Sequence, residues 1–163
     1  MTPGKSFEND FFKSAQKSMF IYRLPDPSSS FNNACRGCDK QMTRFSPRNV
    51  CDFLASTPKA TYLFELKSHK GKSIPFSAIV TKPTDKRLEK MVEIDKKYPW
   101  VKSYIVFNWR DYENKTLAIR ASDVLHYIKT VDRKSIPYDF MARGIRIPDR
   151  LIRVHYAYDM SGF

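Results

Sequence analysis

Apolar side chains recur every four residues from Phe7 to Met19, with polar residues between them. This spacing predicts an amphipathic helix over 7–19. Ser6 directly precedes the helix and is of a residue type that caps helices. Glu8 and Asp10 then fall in the first turn, where the helix dipole favours acidic side chains. The chain is therefore expected to begin with a helix.

Short runs rich in aliphatic and aromatic residues follow this helix and predict β-strands. They cover 19–24, 50–54, 62–67, 101–109 and 116–119, and one further strand is expected around 151–155. The strand predicted from Val101 to Trp109 contains the apolar run Tyr104 to Phe107, as expected of a central strand. The segment 55–61 contains Pro58 and is expected to be a turn that makes its two flanking strands neighbours.

Helical patterns alternate with these strands, at 83–97 and from a cap at Ser122 or Asp123 to about Thr130. Basic turns are expected at 68–72 and 133–137. The segment 25–48 is polar and rich in Pro, Ser and Asn, which predicts a long loop. Its four basic residues, which suggest contact with a phosphate backbone, are Arg36, Lys40, Arg44 and Arg48. The whole order predicts one α/β domain over residues 1–163, with the basic loop at about 25–48.

Three charged residues interrupt two of the apolar strands. Asp52 stands in the run 50–54, and Glu65 and Lys67 stand two positions apart in the run 62–67. Glu65 and Lys67 therefore point to the same face of their strand. Charged side chains are rarely placed in such apolar strands unless they are paired or bound to metal. Two carboxylates and one amine on one face indicate a divalent-metal site, and carboxylate oxygens suit Mg²⁺, with Mn²⁺ as a plausible substitute.

The charge balance points to the class of partner. Lys and Arg number 29 against 17 Asp and Glu, a net charge of +12, which favours a polyanionic partner, either nucleic acid or an anionic membrane surface. No strongly amphipathic helix rich in Trp, Phe and Lys stands out, which favours nucleic acid. No apolar run approaches the ~20 residues of a membrane span, and the first residues lack the apolar region of a signal peptide. An intracellular, cytoplasmic protein with no membrane partner is expected. Glycine-rich phosphate-binding motifs are absent, so no nucleotide cofactor is expected.

The three cysteines do not form a complete metal set. Cys35 and Cys38 have the spacing of half a zinc site, but a structural zinc needs four ligands and no second pair follows at the usual spacing. Cys51 lies in the strand that carries Asp52. We therefore expect ordinary thiols rather than zinc ligands or a redox pair.

Asp52 followed thirteen residues later by Glu65-Leu66-Lys67 resembles the PD-(D/E)xK nuclease superfamily. Within it, the chain is similar to the RecU-type Holliday-junction resolvases and in particular to their phage-encoded forms. The resemblance is carried by an ordered set of segments over about 4–137. They are 4–8, which opens the first helix, 22–27, 51–53, 65–68, 73–76, 105–107 and 133–137.

This resemblance implies a restriction-endonuclease-like core, a central mixed β-sheet flanked by helices. It also implies that Asp52 and Glu65 bind Mg²⁺, with the Leu66 carbonyl as a further ligand, and that Lys67 acts on the attacking water. Glu8 resembles an additional acidic residue of the family and would bind the metal directly or through water. The expected activity is metal-dependent cutting of four-way DNA junctions by paired symmetric nicks.

One active site per chain implies a homodimer that matches the twofold symmetry of the junction. Branched DNA would be recognised by its shape and phosphates rather than by its bases. Candidate DNA-binding residues are Arg23, Lys70, Lys72, Lys86, Arg133 and Lys134.

The chain departs from the family at two places. The family often carries a glutamine at the start of the helix after the active-site strands, whereas the corresponding segment here, 82–86, has none. Lys82 or Lys86 is then the candidate for a phosphate contact. The segment between Arg23 and Asp52 is also shorter than the stalk of cellular members.

Two alternatives remain open. A nuclease of the same superfamily with another DNA substrate, such as a nicking or repair enzyme, fits the same residues. A non-catalytic DNA-binding protein fits the charge alone. It gives no reason to place Asp52 and Glu65 in apolar strands that face a polyanion.

Overall fold

Helices and strands alternate along the chain in the residues that the computed structural model describes, which are 2–25, 49–81, 84–140 and 144–163. The helices are α1 (Pro3–Ala15), α2 (Phe76–Ile79), α3 (Arg87–Lys97) and α4 (Ala121–Thr130). The strands are β1 (Phe20–Arg23), β2 (Phe53–Ser56), β3 (Thr61–His69), β4 (Ser73–Pro75), β5 (Val101–Trp109), β6 (Lys115–Arg120), β7 (Ser135–Pro137), β8 (Ile145–Arg146), β9 (Asp149–Ile152) and β10 (His155–Tyr158). Nearly all of the expected basic loop, with Cys35 and Cys38, lies outside the described residues, and so does Lys82.

Six strands form one mixed sheet in the order β1-β2-β3-β5-β6-β8. β3 and β5 pair in parallel at its centre, and the other neighbours are antiparallel. The helix α3 supplies the crossover that a parallel pair requires. β5 has the predicted bounds, and its residues from Ser103 to Trp109 are all buried, because a central strand is covered on both faces.

Each face of the sheet carries its own hydrophobic core. Phe11 of α1 packs against Phe53 and Phe64 on one face, with aromatic ring centroids 6.2 and 5.5 Å apart. On the other face Leu63 belongs to the core built by α3 and α4. Side chains of β3 therefore alternate between the two cores, and the odd-numbered positions point towards α3.

Asp10 joins α1 to the end of the chain. Its buried carboxylate accepts a hydrogen bond from the Tyr156 backbone N–H at 3.0 Å and lies 3.1 Å from Nδ1 of His155. The Ser14 hydroxyl accepts from the Tyr158 backbone N–H at 3.0 Å. These contacts hold β10 against α1, and the sequence pattern contains no indication of them.

The start of α1 differs from the prediction. The helix begins at Pro3, and Thr2 occupies the capping position without a side-chain cap, so Ser6 lies inside the helix and is not its cap. Proline at the first helical position fixes a helical φ and lacks an N–H that would be unpaired there in any case. Glu8 and Asp10 consequently lie beyond the first turn.

Four further predictions of secondary structure are wrong. β2 begins at Phe53 and runs to Ser56, so Asp52 stands just before the strand and the turn is shorter than predicted. α4 begins at Ala121, so neither Ser122 nor Asp123 caps it. The expected turn at 133–137 is partly strand, because β7 pairs with β4. The single strand expected around 151–155 is the β9–β10 hairpin. In the described part of the chain, no helix is long and apolar enough to cross a membrane.

Candidate active site

The antiparallel register of β2 and β3 brings the two predicted carboxylates together. Phe53 pairs with Phe64, so Asp52 comes next to Glu65 at the end of β2. Asp52 is held there by its backbone N–H, which donates to the Phe64 carbonyl at 3.0 Å, and by its carboxylate Oδ2, which accepts from the Leu66 N–H at 2.7 Å. The backbone geometry of two neighbouring strands thus fixes the position of the Asp52 carboxylate.

Glu65 is buried, with 4% of its surface exposed, and meets two cations through one oxygen. Its Oε1 lies 2.7 Å from Nζ of Lys67 and 3.0 Å from Nη1 of Arg87. Its Oε2 is buried and has no hydrogen-bond partner among the described residues. One oxygen of this carboxylate is thus fully engaged, and the other is left without the partner that a buried charged atom requires.

Arg87 is the first residue of α3 and is itself fixed by Asp85. Its Nε and Nη2 donate to the buried Asp85 carboxylate at 3.0 and 2.8 Å, and its backbone N–H donates there at 3.2 Å. These hydrogen bonds hold the pKa of the Asp85 carboxyl well below its usual range. The Thr81 hydroxyl donates to the same carboxylate at 2.9 Å. A chain of charged contacts therefore runs from Asp85 through Arg87 to Glu65.

The far end of α3 is also anchored to the sheet. Asp95 accepts from the Ser103 backbone N–H at 2.7 Å and pairs with Arg120 at 2.7 Å. The Ser103 hydroxyl donates to the Met91 carbonyl at 3.1 Å. Because both ends of α3 are tied down, Arg87 is presented to Glu65 from a rigid element.

Burial and the neighbouring Glu65 charge raise the pKa of Asp52 to about 7. The Glu8 charge contributes in the same direction, whereas the Leu66 N–H and the Lys67 ammonium oppose the rise. The two carboxylates therefore repel each other at neutral pH. Such a pair is stabilised when a cation is bound between its members.

The candidate metal donors at this point are carboxylate oxygens. No three Cys, His, Asp or Glu side chains gather as a metal-ligand set within the described residues. Two carboxylates are enough for Mg²⁺, which retains several waters and is often held by one or two of them. The unpartnered Oε2 of Glu65 and the mutual repulsion with Asp52 fit a bound cation at this point.

Glu8 reaches the same end of the sheet from α1, and its charge acts on Asp52. Its Oε2 is paired with Nη2 of Arg23 at 2.6 Å. Arg23 also lies over the ring of Phe53, 5.9 Å from its centroid. The proposed additional acid and one proposed DNA contact are thus direct partners in this structure.

The other predicted DNA-binding residues are all exposed, namely Lys70, Lys72, Lys86, Arg133 and Lys134. The pairing of β4 with β7 connects the two basic segments. The Lys72 carbonyl accepts from Tyr138 at 2.8 Å and the Lys134 carbonyl accepts from Phe76 at 2.9 Å. Lys72 and Lys134 therefore flank opposite ends of this short ribbon.

Sequence reasoning missed Arg87 and Asp85. The glutamine position expected near 82–86 drew attention to Lys82 and Lys86, but Lys86 is exposed and Arg87 enters the site instead. Cys51, beside Asp52, is a buried free thiol whose pKa burial raises to about 12, which fits the expectation of an ordinary thiol for this residue.

Comparison with known proteins gives a relative and a fold. No protein-family model matches the chain. The chain is 30% identical over 139 residues to the SPbeta prophage-derived uncharacterized protein YotM of Bacillus subtilis (strain 168), a match that covers 84% of this chain. It spans 65% of the length of YotM, just under two thirds.

Among solved structures, the fold is similar to that of Hjc, a Holliday junction resolvase from the archaeal hyperthermophile Archaeoglobus fulgidus. The TM-score is 0.51 at 14% sequence identity, over 88% of this chain and 95% of Hjc. The chain has an Hjc-like fold. This confirms the predicted fold class, a restriction-endonuclease-like core with a mixed central sheet between helices. In the Hjc-like fold of this chain, Asp52, Glu65, Lys67 and Arg87 meet at one end of the β2–β3 pair.

Proposed function

We propose that this protein is a divalent-metal-dependent endonuclease that cuts four-way DNA junctions by paired symmetric nicks. The observation that carries the proposal is the arrangement of Asp52, Glu65 and Lys67 in an Hjc-like fold. Two mutually repelling carboxylates lie side by side, with the Lys67 amine 2.7 Å from one of them. A protein that only binds DNA has no use for this arrangement.

The carboxylates of Asp52 and Glu65 would hold Mg²⁺, or Mn²⁺ in its place, and the Leu66 carbonyl is the candidate for a further ligand. Glu8 is the candidate for an outer contact through water. When bound, the metal supplies an activated water and neutralises charge on the scissile phosphate. Oε2 of Glu65 is the oxygen available to bind the metal, since Lys67 and Arg87 already engage Oε1.

Lys67 is the residue proposed to orient the attacking water and to stabilise negative charge on the phosphate. Its ammonium is held at 2.7 Å by Glu65, and its side chain is 19% exposed, so it is fixed while still accessible to substrate. A fixed cation in a partly dry site stabilises developing charge with little reorganisation. Arg87 is the positioning residue, because it contacts Glu65 rather than a reacting atom.

The proposed substrate requires two such sites. A junction has approximate twofold symmetry, so a homodimer with one site per subunit would place two nicks symmetrically. The exposed cations on the β4–β7 ribbon, together with Arg23 and Lys86, are proposed to contact phosphates. Contacts of this kind position DNA without reading its sequence. Shape would then supply the preference for branched over linear DNA.

Incubation of the purified full chain with an end-labelled four-way junction tests the proposal. Paired nicks in Mg²⁺ or Mn²⁺, and none in EDTA, are expected, with linear duplex of the same sequence left largely intact. Asp52→Asn is the matched inactive variant, because it keeps the size of the side chain and removes the charge. Equal cutting of duplex would identify a nuclease with another substrate. Junction binding without any cutting, under both metals, would identify a non-catalytic DNA-binding protein.

A further inference from the structure

The β9–β10 hairpin exposes apolar side chains at its tip. Leu151, Ile152 and Val154 are 57%, 45% and 80% exposed. Ile152 pairs with His155, so only Arg153 and Val154 form the turn. Aliphatic side chains at the end of a two-residue turn project from the body of a protein, and a cluster of them indicates a contact surface.

The turn between β9 and β10 places Arg153 in a backbone conformation that non-glycine residues rarely adopt. Arg153 has φ +59°, a conformation that glycine adopts freely and that other L-residues adopt at a cost. Two-residue hairpin turns usually place Gly, Asn or Asp at such positions. Strained positions of this kind concentrate at functional sites. A long cation at this point therefore suggests a function for its guanidinium.

Cations surround the exposed apolar tip. Four basic residues are exposed here, Arg150 and Arg153 on the hairpin, Lys13 on α1 and Lys17 just after α1. Lys13, Lys17 and Arg153 line a cleft of about 490 Å³ together with Ile152 and Val154. The acid in this cleft, Asp10, is buried and already engaged by His155 and Tyr156. The accessible charge is thus positive.

An exposed aliphatic tip surrounded by basic side chains fits DNA better than a second copy of the chain. A twofold contact through the hairpin would bring like charges together, which is unfavourable. Three aliphatic side chains also fall far short of the ~800 Å² per partner that a standard protein interface buries. A polyanion that offers apolar surface between its phosphates satisfies both the cations and the aliphatic tip.

We infer that the β9–β10 hairpin is a DNA wedge, in which Arg150 and Arg153 grip phosphates while Leu151 and Val154 insert against exposed base faces. The inference rests on the proposed function for its ligand, branched DNA. In an open four-way junction, the form adopted without divalent metal, the base pairs at the branch point are stacked on one side only, so apolar side chains enter there at lower cost than in a continuous duplex. Apolar wedges that unstack bases are a known device of DNA-bending proteins.

The test uses a four-way junction with 2-aminopurine at the branch point, whose fluorescence rises when the base unstacks. Binding is measured in EDTA, so that no strand is cut. We expect the full chain to raise the fluorescence. Val154→Ser and Leu151→Ser should lower the rise at least twofold while leaving the salt dependence of binding unchanged. Both sites are exposed, so these variants are expected to fold.

Arg153→Gly separates function from folding. Glycine relieves the positive φ, so the variant should melt at the same temperature as the parent or higher. It should nevertheless bind the junction more weakly, and its log–log salt slope should be shallower by about 0.9 for each phosphate that Arg153 would otherwise neutralise. Trp100→Ser and Lys102→Gln are matched controls for an exposed apolar and an exposed basic residue in another part of the fold, and both should behave like the parent.

Three results would overturn the inference. Hairpin variants that keep the parental fluorescence and salt slope would exclude a DNA wedge. A change of oligomer mass in Val154→Ser would identify a self-association surface instead. Hairpin-dependent binding to anionic vesicles without an effect on DNA would identify a membrane contact. Failure of the proposed function gives a different result, since the parent protein would then not cut junctions in Mg²⁺ whatever the hairpin does.

Discussion

Nη1 of Arg87 donates a hydrogen bond of 3.0 Å to Oε1 of Glu65, which ties the first residue of α3 to the middle of β3. Lys67 reaches the same oxygen at 2.7 Å. Two cations thus hold one oxygen of the Glu65 carboxylate, and its second oxygen is buried without a hydrogen-bond partner among the described residues. Arg87 and Glu65 are 22 positions apart in the sequence and come into contact only because α3 packs onto the sheet.

Arg87→Lys and Arg87→Gln distinguish a positioning role from a purely electrostatic one. If Arg87 orients Glu65, both variants should weaken Mn²⁺ binding by about 10- to 100-fold, as is usual for residues that orient metal ligands. If Arg87 acts only by its charge, Lys should be neutral and Gln should tighten binding, because a repelling cation is removed. Titration calorimetry with Mn²⁺ in the absence of DNA gives the answer.

Asp52→Asn should stabilise the metal-free protein. The pKa of Asp52 is raised to about 7 in the folded state, above its ordinary value, so ionisation costs stability progressively as pH rises from about 4 to 7. The variant lacks this cost and should be more stable by up to about 4 kcal/mol at pH 8, and equal to the parent near pH 4. Denaturant unfolding in EDTA at both pH values measures the difference.

The same variant should lose the rise in melting temperature that Mg²⁺ gives the parent. It should retain junction binding, because that depends on dispersed basic contacts. Loss of folding together with binding would show that Asp52 is needed for the structure and leave its catalytic role unsupported.

Lys67→Ala should reduce junction cutting by a factor of about 10² to 10³, the usual loss when a fixed group that stabilises transition-state charge is deleted. Mn²⁺ binding should persist, since the amine holds no metal. Lys59→Ala, an exposed lysine in the turn between β2 and β3, is the matched control and should cut normally. Single-turnover assays at saturating metal measure the rate. A near-parental rate for Lys67→Ala would refute its assignment.

Asp85→Asn should destabilise the protein at neutral pH and much less in acid. Hydrogen bonds from Arg87 depress the Asp85 pKa, so its ionised form stabilises the fold above about pH 4, and this stability is lost as pH falls further. We expect a loss of about 1–3 kcal/mol at pH 7, the cost of a weakened buried charged contact. In unfolding curves from pH 7 down to pH 3, the difference in free energy of unfolding between the parent and Asp85→Asn should become smaller. A difference in stability that stays constant with pH would show that the charge of Asp85 is not what stabilises the fold.

Junction binding should weaken steeply with salt. Each phosphate contact contributes a log–log slope of about −0.9, so a chain of net charge +12 that uses several exposed Lys and Arg should show a slope of several units. The preference for junction over duplex should survive competitor duplex, because it depends on DNA shape. Fluorescence anisotropy over a salt series measures the slope, and a flat response would contradict the electrostatic account.

The sequence predicts the elements whose pattern is decided locally. β5 has the predicted bounds because the middle of a strand covered on both faces, here Tyr104 to Phe107, is a continuous apolar run. The hairpin escapes prediction because Arg153 and Val154 form its turn without any Gly, Asn or Pro. The predicted start of α1 is wrong because Pro3 outweighs Ser6 as a start signal. Turn and cap rules describe averages, and these sites depart from them.

The same contrast holds in the candidate site. Asp52, Glu65 and Lys67 stand out because a charge in an apolar strand is conspicuous in a sequence. Arg87 and Asp85 do not, because they lie in a polar segment where charges are ordinary. Only the packing of α3 against β3 makes Arg87 a neighbour of Glu65. Pairs that meet through tertiary packing leave no periodic trace in the sequence.

The hydrogen bond from the Tyr156 backbone N–H to the Asp10 carboxylate joins residues 146 positions apart. It therefore affects when this part of the fold can form during translation. Contacts of such long range form late in folding. α1 is made before β10, so the Asp10 carboxylate can accept the Tyr156 hydrogen bond only once β10 is present. Because α1 also carries Glu8, a growing chain would hold this acid loosely until residue 156 has been made. The site geometry would therefore be completed only after β10 has been made.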